Sequence, residues 1–310
     1  MSTNHLLRYS ALCVGLIILL HSLGIREFAP YRFIPPPEGL LLRWGSHVVL
    51  ALSSLLIKAF QRKRGNYREM LSTVIWPVVL SLISIVSGIH ILDAPYNNAA
   101  ESPLIQASRV ISMGACIIAG SLFYGCRHKI EKLLSLGIII AGFLWAIVGD
   151  SEAFFPLVGT IISIVNGVST GVLLISIKNR LDSFAMLDFM IAFFSATSFG
   201  MLGISLFYAR PAEWFKLSKR MFAPWAKFGV MLPLQVGLEA VVLLLLFYGT
   251  PETYLVTAAF AWIPSTVIAG FMFELDIMLA SLKGAFLILF GVIMYMWVSQ
   301  EKENPETIVS

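Results

Sequence analysis

The sequence predicts an all-α polytopic membrane protein: ten transmembrane helices arranged as two inverted five-helix repeats. Three observations predict it. Apolar residues make up 58% of the 310 and charged residues 13%, with a mean hydropathy of +0.83. A soluble domain carries about 25% charged residues and needs them to cover its surface. The apolar residues fall into ten runs of bilayer-spanning length, and features of the fourth and fifth runs return in the ninth and tenth.

The runs are 8–24, 40–60, 71–92, 101–124, 132–149, 154–177, 184–208, 224–248, 252–273 and 281–298. The first follows Arg8, but His21 and Gly24-Ile25-Arg26 offer no small-x-small cleavage site, so it reads as a retained helix. The second carries Arg43 and His47 on one face at i, i+4, with Arg43 beside Trp44 read as an interfacial anchor. The third ends at His90, near Asp93, where a hydrogen-bonded histidine and a titrating one are both open readings.

The fourth run, SPLIQASRVISMGACIIAGSLFY, holds a single charge, Arg109. A guanidinium within a span costs roughly 2.5–3.5 kcal/mol on insertion scales. Either it snorkels or pairs with a carboxylate, or it faces a wet cavity where an anion meets it. Gln106 lies one turn before it on the same face, continued by Met113 and Cys116 with Ser112 alongside. A hydrogen bond between helices is the competing role for Gln106.

Gly137, Gly142, Gly149, Gly159, Gly167 and Gly171 in runs five and six allow close helix approach. Asn166 is the polar residue of run six and Asp188 that of run seven. Run eight holds Gln235 and Glu239 at i, i+4, and Glu239 is the expected counter-ion of Arg109. Pro224, Pro233 and Pro264 open or interrupt runs eight and nine, where kinks free carbonyls to line a cavity. Lys283 opens run ten.

Loop charge sets the expected orientation. Lys58, Arg62, Lys63, Arg64 and Arg68 follow run two; Arg127, Lys129 and Lys132 follow run four; Lys178 and Arg180 follow run six. The opposite side shows Tyr96-Asn97-Asn98 and Asp150-Ser151-Glu152. Positive-inside then puts both termini in the cytosol. One loop runs against the pattern, with Arg210, Lys216, Lys219 and Arg220, and reads as an interfacial amphipathic stretch presenting Trp214, Phe215 and Met221.

Cys13, Cys116 and Cys126 are odd in number and read as small apolar fillers, with neither a disulfide framework nor metal-ligand spacing. HExxH, CxxC, Walker and GxGxxG motifs are absent, as are N-x-[ST] sequons. None of His21, His47 and His90 stands at a recognisable spacing from an acid, so no catalytic group is assigned and the chain is not read as an enzyme. No cofactor and no nucleic-acid partner is implied, because the basic residues sit mainly between apolar segments.

The internal repeat pairs Ile117-Ile118-Ala119-Gly120 with Val267-Ile268-Ala269-Gly270, and Ser135-x6-Gly142 with Gly284-x6-Gly291. Five spans separate the copies, an odd number, so the copies run in opposite senses through the membrane. The first repeat is 1–149, and the second is 150–310 with a short C-terminal tail. Inverted repeats of this kind place a substrate site near the midplane at the repeat interface.

With these paired segments the chain resembles the drug/metabolite transporter superfamily, and within it the nucleotide-sugar and triose-phosphate transporter branch. The residues that carry the likeness are Gln106-x2-Arg109, Gly120-x4-Gly125 with its basic turn, Asp150-Ser151-Glu152-x6-Gly159 and Lys283-Gly284-Ala285-x5-Gly291-Val292-x2-Tyr295. They spread over most of 40–298. Where members that carry nucleotide sugars have a Tyr-Asn-Asn-like element in span seven, this chain reads Ala192-Phe193-Phe194-Ser195. Where many have a basic residue in span nine, it has Thr257-Ala258-Ala259-Phe260.

The resemblance implies a secondary transporter that moves a phosphorylated solute, most typically a nucleotide sugar, in antiport against a nucleoside monophosphate. It implies a Golgi or endoplasmic reticulum membrane, with lipid as partner and a homodimer as one assembly option. Such a site needs a fixed cation, donors for hydroxyls and an aromatic face. Arg109 is the phosphate candidate because its fork binds two oxygens at once. Gln106, Gln235, Glu239, Asn166, His90, Tyr96 and Asn97 are the other lining candidates, with Lys178 and Lys283 at the cavity mouths. The competing classes are a non-transporting membrane chaperone or assembly protein on the same scaffold, and a membrane enzyme.

Overall fold

A computed structural model describes residues 36–61, 67–92, 103–126, 128–148, 157–208, 222–273 and 279–300. Nine helices occupy them: α1 Pro36–Gln61, α2 Tyr67–Leu92, α3 Pro103–Tyr124, α4 Ile130–Val148, α5 Leu157–Ser183, α6 Met186–Tyr208, α7 Phe222–Tyr248, α8 Pro251–Phe273 and α9 Leu279–Gln300. They show nine of the ten apolar runs to be helical; the first, 8–24, lies outside the described residues. The amphipathic reading of 209–221 lies outside them too.

Among the described residues, five helical stretches are long and apolar enough to cross a membrane: Leu104–Tyr124, Ile130–Val148, Leu157–Ser183, Met186–Leu206 and Leu282–Ser299. Shorter apolar stretches run Ser72–Gly88 and Leu232–Tyr248. Burial is inverted relative to a soluble protein. Phe60, Leu122, Phe123, Phe199, Phe286 and Trp297 face outward, while Ser46, His47, Gln106, Ser112, Thr197 and Gln235 are buried. An apolar exterior on this scale suits lipid rather than water. The chain is a multi-pass helical membrane protein.

Several helices outrun the apolar stretches that predict them. Hydropathy marks only the membrane-facing part, whereas backbone hydrogen bonding continues while residues remain helix-compatible. So α5 continues through Lys178-Asn179-Arg180 to Ser183, with Arg180 in its last turn complementing the helix dipole. Helix α1 begins at Pro36-Pro37, because a proline in the first turn removes an N–H that has no intrahelical partner anyway. Pro77, Pro233 and Pro264 stand inside α2, α7 and α8. Pro77 is an interruption not singled out from the sequence.

Helix α1 packs on α6 and α7, α2 on α5 and α6, α3 on α5, and α4 on α9; α8 touches α3, α7 and α9. One contiguous core joins them, with Leu50, Met113, Phe143, Phe189, Leu246 and Trp262 among its members. The α4·α9 contact is a close one. A Cβ at Gly142 would lie 2.7 Å from Ile288 Cγ1 and 2.8 Å from the Gly284 carbonyl oxygen. A Cβ at Gly291 would lie 2.9 Å from the Ser135 carbonyl oxygen. The two copies of the small-x6-small motif therefore face each other with antiparallel register. Swapping the copies turns the contact of Gly142 with Gly284 into that of Gly291 with Ser135.

Any side chain at Gly142 or Gly284 meets backbone atoms that cannot rotate aside. Gly142→Leu and Gly284→Leu should each cost about 3 kcal/mol, the upper end of overpacking. Gly137→Leu, on open surface of the same helix with nothing within 4 Å, should be nearly neutral. Thermal unfolding in detergent compares the three.

Several helix ends meet one another. Lys58 at the end of α1 pairs with Asp188 at the start of α6. His128 Nδ1, after α3, lies 3.4 Å from Glu252 Oε1 in the first turn of α8. Lys178 Nζ donates to the Phe247 carbonyl at 3.3 Å, and lies 2.8 Å from Asp182. The turns are built locally. Gly125 (φ 63°) supplies the left-handed residue that lets the Cys126 N–H reach the Gly120 carbonyl at 2.9 Å. Thr250 caps α8 by accepting from Thr253 N–H at 3.3 Å, with Pro251 in the first helical position.

Candidate functional site

The site is built on α3. Gln106 and Arg109 share a face one turn apart, and Ser112 Oγ donates to the Arg109 carbonyl at 2.8 Å, tying the same stretch together. Gln106 Oε1 and Arg109 Nη1 are both buried, and neither has a hydrogen-bond partner among the described residues. A buried donor and a buried acceptor left open side by side are costly. Folded proteins satisfy nearly all such groups. Helix α8 packs beside α3 and brings the Tyr254 phenol within electrostatic reach of Arg109, and also of Arg43 on α1.

A second polar cluster joins α1 to α7. Glu239 accepts from Ser46 Oγ at 3.0 Å to each carboxylate oxygen, and from Gln235 Nε2 at 2.9 Å. His47 Nε2 stands 3.4 Å from Glu239 Oε2. Ser46 Oγ is also 2.8 Å from its own helix's Arg43 carbonyl. The imidazole and the Phe194 ring of α6 make a T-shaped contact, centroids 5.0 Å apart. The expected pairing of Glu239 with Arg109 is thus corrected: Glu239 is held by Ser46, His47 and Gln235. The reason is topological, since α7 leans on α1 while Arg109 sits on α3, and α8 packs against both α3 and α7.

The other predicted residues divide. Asn166 is a strut between three helices. It accepts from Ser108 Oγ at 2.6 Å and donates to the Ser84 carbonyl at 2.7 Å and to Ser87 Oγ at 3.1 Å. Its surroundings are tight, because Gly167 and Gly171 on the same helix lie against the Ser108 and Ser112 carbonyls of α3. Lys178 is engaged at the bundle end, as given above. Lys283 is exposed at the start of α9. His90 lines an open groove of about 380 Å³ with Leu82, Val86 and Ile162, an apolar surface unsuited to phosphate. Tyr96 and Asn97 lie outside the described residues. Outside the spans, burial and the Glu252 carboxylate push the Cys126 thiol up from its ordinary range.

The sequence reading missed Ser46 and Tyr254 and left His47 without a role. The i, i+4 pairs Arg43/His47 and Gln235/Glu239 were visible signals. What they meet across the bundle was not. Among the described residues no group of three or more His, Cys, Asp or Glu side chains is placed to hold a metal ion.

No protein-family model matches the chain, and no curated protein matches it in sequence. Among solved structures the chain is similar to one described only as "Crystal structure of protein", with a TM-score of 0.64 at 12% identity, covering 96% of this chain and 99% of that one. At that identity the likeness is one of fold.

Proposed function

We propose that the chain is a secondary transporter for an organic anion, a phosphorylated solute of the nucleotide-sugar class, working by alternating access in exchange for a nucleoside monophosphate. The observation that carries this reading is the open pair on α3. Arg109 Nη1 and Gln106 Oε1 are buried without a hydrogen-bond partner among the described residues, one fit for phosphate oxygens and the other for a hydroxyl or amide donor. Tyr254 adds an aromatic hydroxyl within reach of Arg109.

The packing supports the inverted repeat on which alternating access rests. Shifting every span by five exchanges the contacts α2·α6 and α7·α1, as well as α3·α4 and α8·α9, and maps α1·α6 and α4·α9 onto themselves. With the ends gathered as described, the face carrying Lys58, Lys129, Lys132, Lys178 and Arg180 is the cytosolic one, with both termini on that side of a Golgi or endoplasmic reticulum membrane.

A non-transporting membrane chaperone is the second reading. The observation in its favour is Ala259, which stands where the repeat would mirror Arg109 and is buried as an apolar residue.

Counterflow in proteoliposomes decides between them. Purified protein preloaded with nucleoside monophosphates should take up one member of a nucleotide-sugar panel against that gradient. Folded protein that exchanges no phosphorylated solute would overturn the transporter reading in favour of the second.

A further inference from the structure

The Glu239–His47 pair sits near the middle of α1 and well inside α7, away from the α3 pair. Its geometry is complete on one side and open on the other. The Glu239 carboxylate collects donors from Ser46, Gln235 and His47 Nε2. With Nε2–H directed at the carboxylate, the lone pair of His47 Nδ1 is the open position, buried and without a partner among the described residues. Helix α6 presents Phe193 and Phe194 to the same imidazole, at centroid distances of 6.5 and 5.0 Å.

We propose that Glu239 and His47 form an intramembrane proton-binding site, and that its loading couples a proton to movement of the anionic solute. The coupling rests on the transporter reading above; the proton site itself does not.

The balance is simple. Unloaded, the pair is a carboxylate and a neutral imidazole, net −1. A proton from water forms an N–H bond at Nδ1 and nothing leaves, so the loaded pair is an imidazolium beside a carboxylate, net zero. The carboxylate stabilises the imidazolium through Nε2–H, and the Phe194 ring, 5.0 Å away, packs against it. Arg43, on α1 itself, is the other charged group acting on Glu239, and Tyr254 of α8 is the ionisable neighbour that Arg43 shares with Arg109. While the pair is negative, Glu239 holds the field of Arg43. Once the pair is neutral, Arg43 and Arg109 both act on an incoming anion. Proton and anion therefore favour each other's binding, as reciprocal linkage requires. The pair also spans α1 and α7, which the five-span shift assigns to different repeats, so motion of one against the other alters its surroundings.

The test uses the full chain, labelled with ¹⁵N-histidine in lipid vesicles, with His47 assigned by the signal lost in His47→Gln. The His47 ring should show a protonated and a neutral form that interconvert with pH, and Glu239→Gln should weaken its hold on the proton about tenfold. A second arm measures uptake of a nucleotide sugar into proteoliposomes at internal pH 7.5, with external pH 6.0 or 7.5. The inward proton gradient should accelerate wild type several-fold, and this response should vanish in both Glu239→Gln and His47→Gln. A His47 ring that does not titrate, or whose midpoint ignores Glu239→Gln, overturns the proton site. Titration with exchange indifferent to the gradient overturns the coupling and leaves the transporter reading standing. Titration with no solute moved overturns the transporter reading, and the coupling with it, while the proton site holds.

Discussion

Arg109→Ala should abolish exchange of organic phosphate while leaving the unliganded protein at least as stable as wild type. The two halves follow from one fact: Arg109 Nη1 is buried with no acceptor among the described residues. A phosphate bound by the guanidinium fork makes two charge-assisted hydrogen bonds, each contributing roughly 1.5–3 kcal/mol. At about 1.4 kcal/mol per tenfold, losing both weakens binding on the order of 10²-fold or more. The empty protein loses nothing comparable, because a buried guanidinium with Nη1 unpaired among the described residues destabilises it. Removing the group relieves a cost of about 2.5–3.5 kcal/mol on insertion scales.

Arg109→Lys should fall between, restoring a point charge without the planar fork and keeping roughly a tenth of the affinity. Two measurements read the result together. Uptake reports function, and the ligand-dependent rise in unfolding temperature reports binding, since a ligand that binds only the folded state raises apparent stability with concentration. If instead Arg109→Ala lowers the unfolding temperature of the empty protein and leaves uptake intact, Arg109 is a packing residue and the phosphate assignment fails. Stability traded for an open site is the signature sought.

How far the sequence could be read follows from what each signal depends on. The helices were legible because bilayer thickness imposes a length on apolar runs, and hydropathy reports that length without any tertiary information. Their ends were less so: α5 reaches Ser183 because Lys178, Asn179 and Arg180 remain good helix residues after the apolar run stops. Arg109 was legible because one charge in an apolar helix stands out against its neighbours. Its surroundings were not. Ser46 meets Glu239 across 193 residues and Asn166 meets Ser84 across 82. Such partners are fixed by which helices adjoin and how each is rotated about its axis. Periodicity shows which residues share a face of one helix, and says nothing of which helix that face meets. The Ser135/Gly142 and Gly284/Gly291 motifs show the same limit: each was visible as a spacing, and only the fold lays them against each other.

The Lys58–Asp188 pair gives the second large effect, and here the expected sign is reversed. Lys58 lies in the last turn of α1 and Asp188 in the first turn of α6, both largely buried, so each charge also complements the dipole of its own helix. Asp188→Asn leaves an ammonium in a low-dielectric contact without its carboxylate. Breaking one side of such a pair costs about 3–5 kcal/mol, a fall in unfolding temperature of roughly 5–8 °C for a chain of this size. Lys58→Met should cost a similar amount by stranding Asp188. The double variant Lys58→Met/Asp188→Leu should recover most of the loss, because it strands no charge and replaces the pair by apolar contact between the same two helices. The coupling energy from the four proteins should therefore be large and favourable. Additive losses would instead mean that each residue stabilises its own helix independently. Recovery in the double variant places the stabilisation in mutual neutralisation, and with it the joint between α1 and α6.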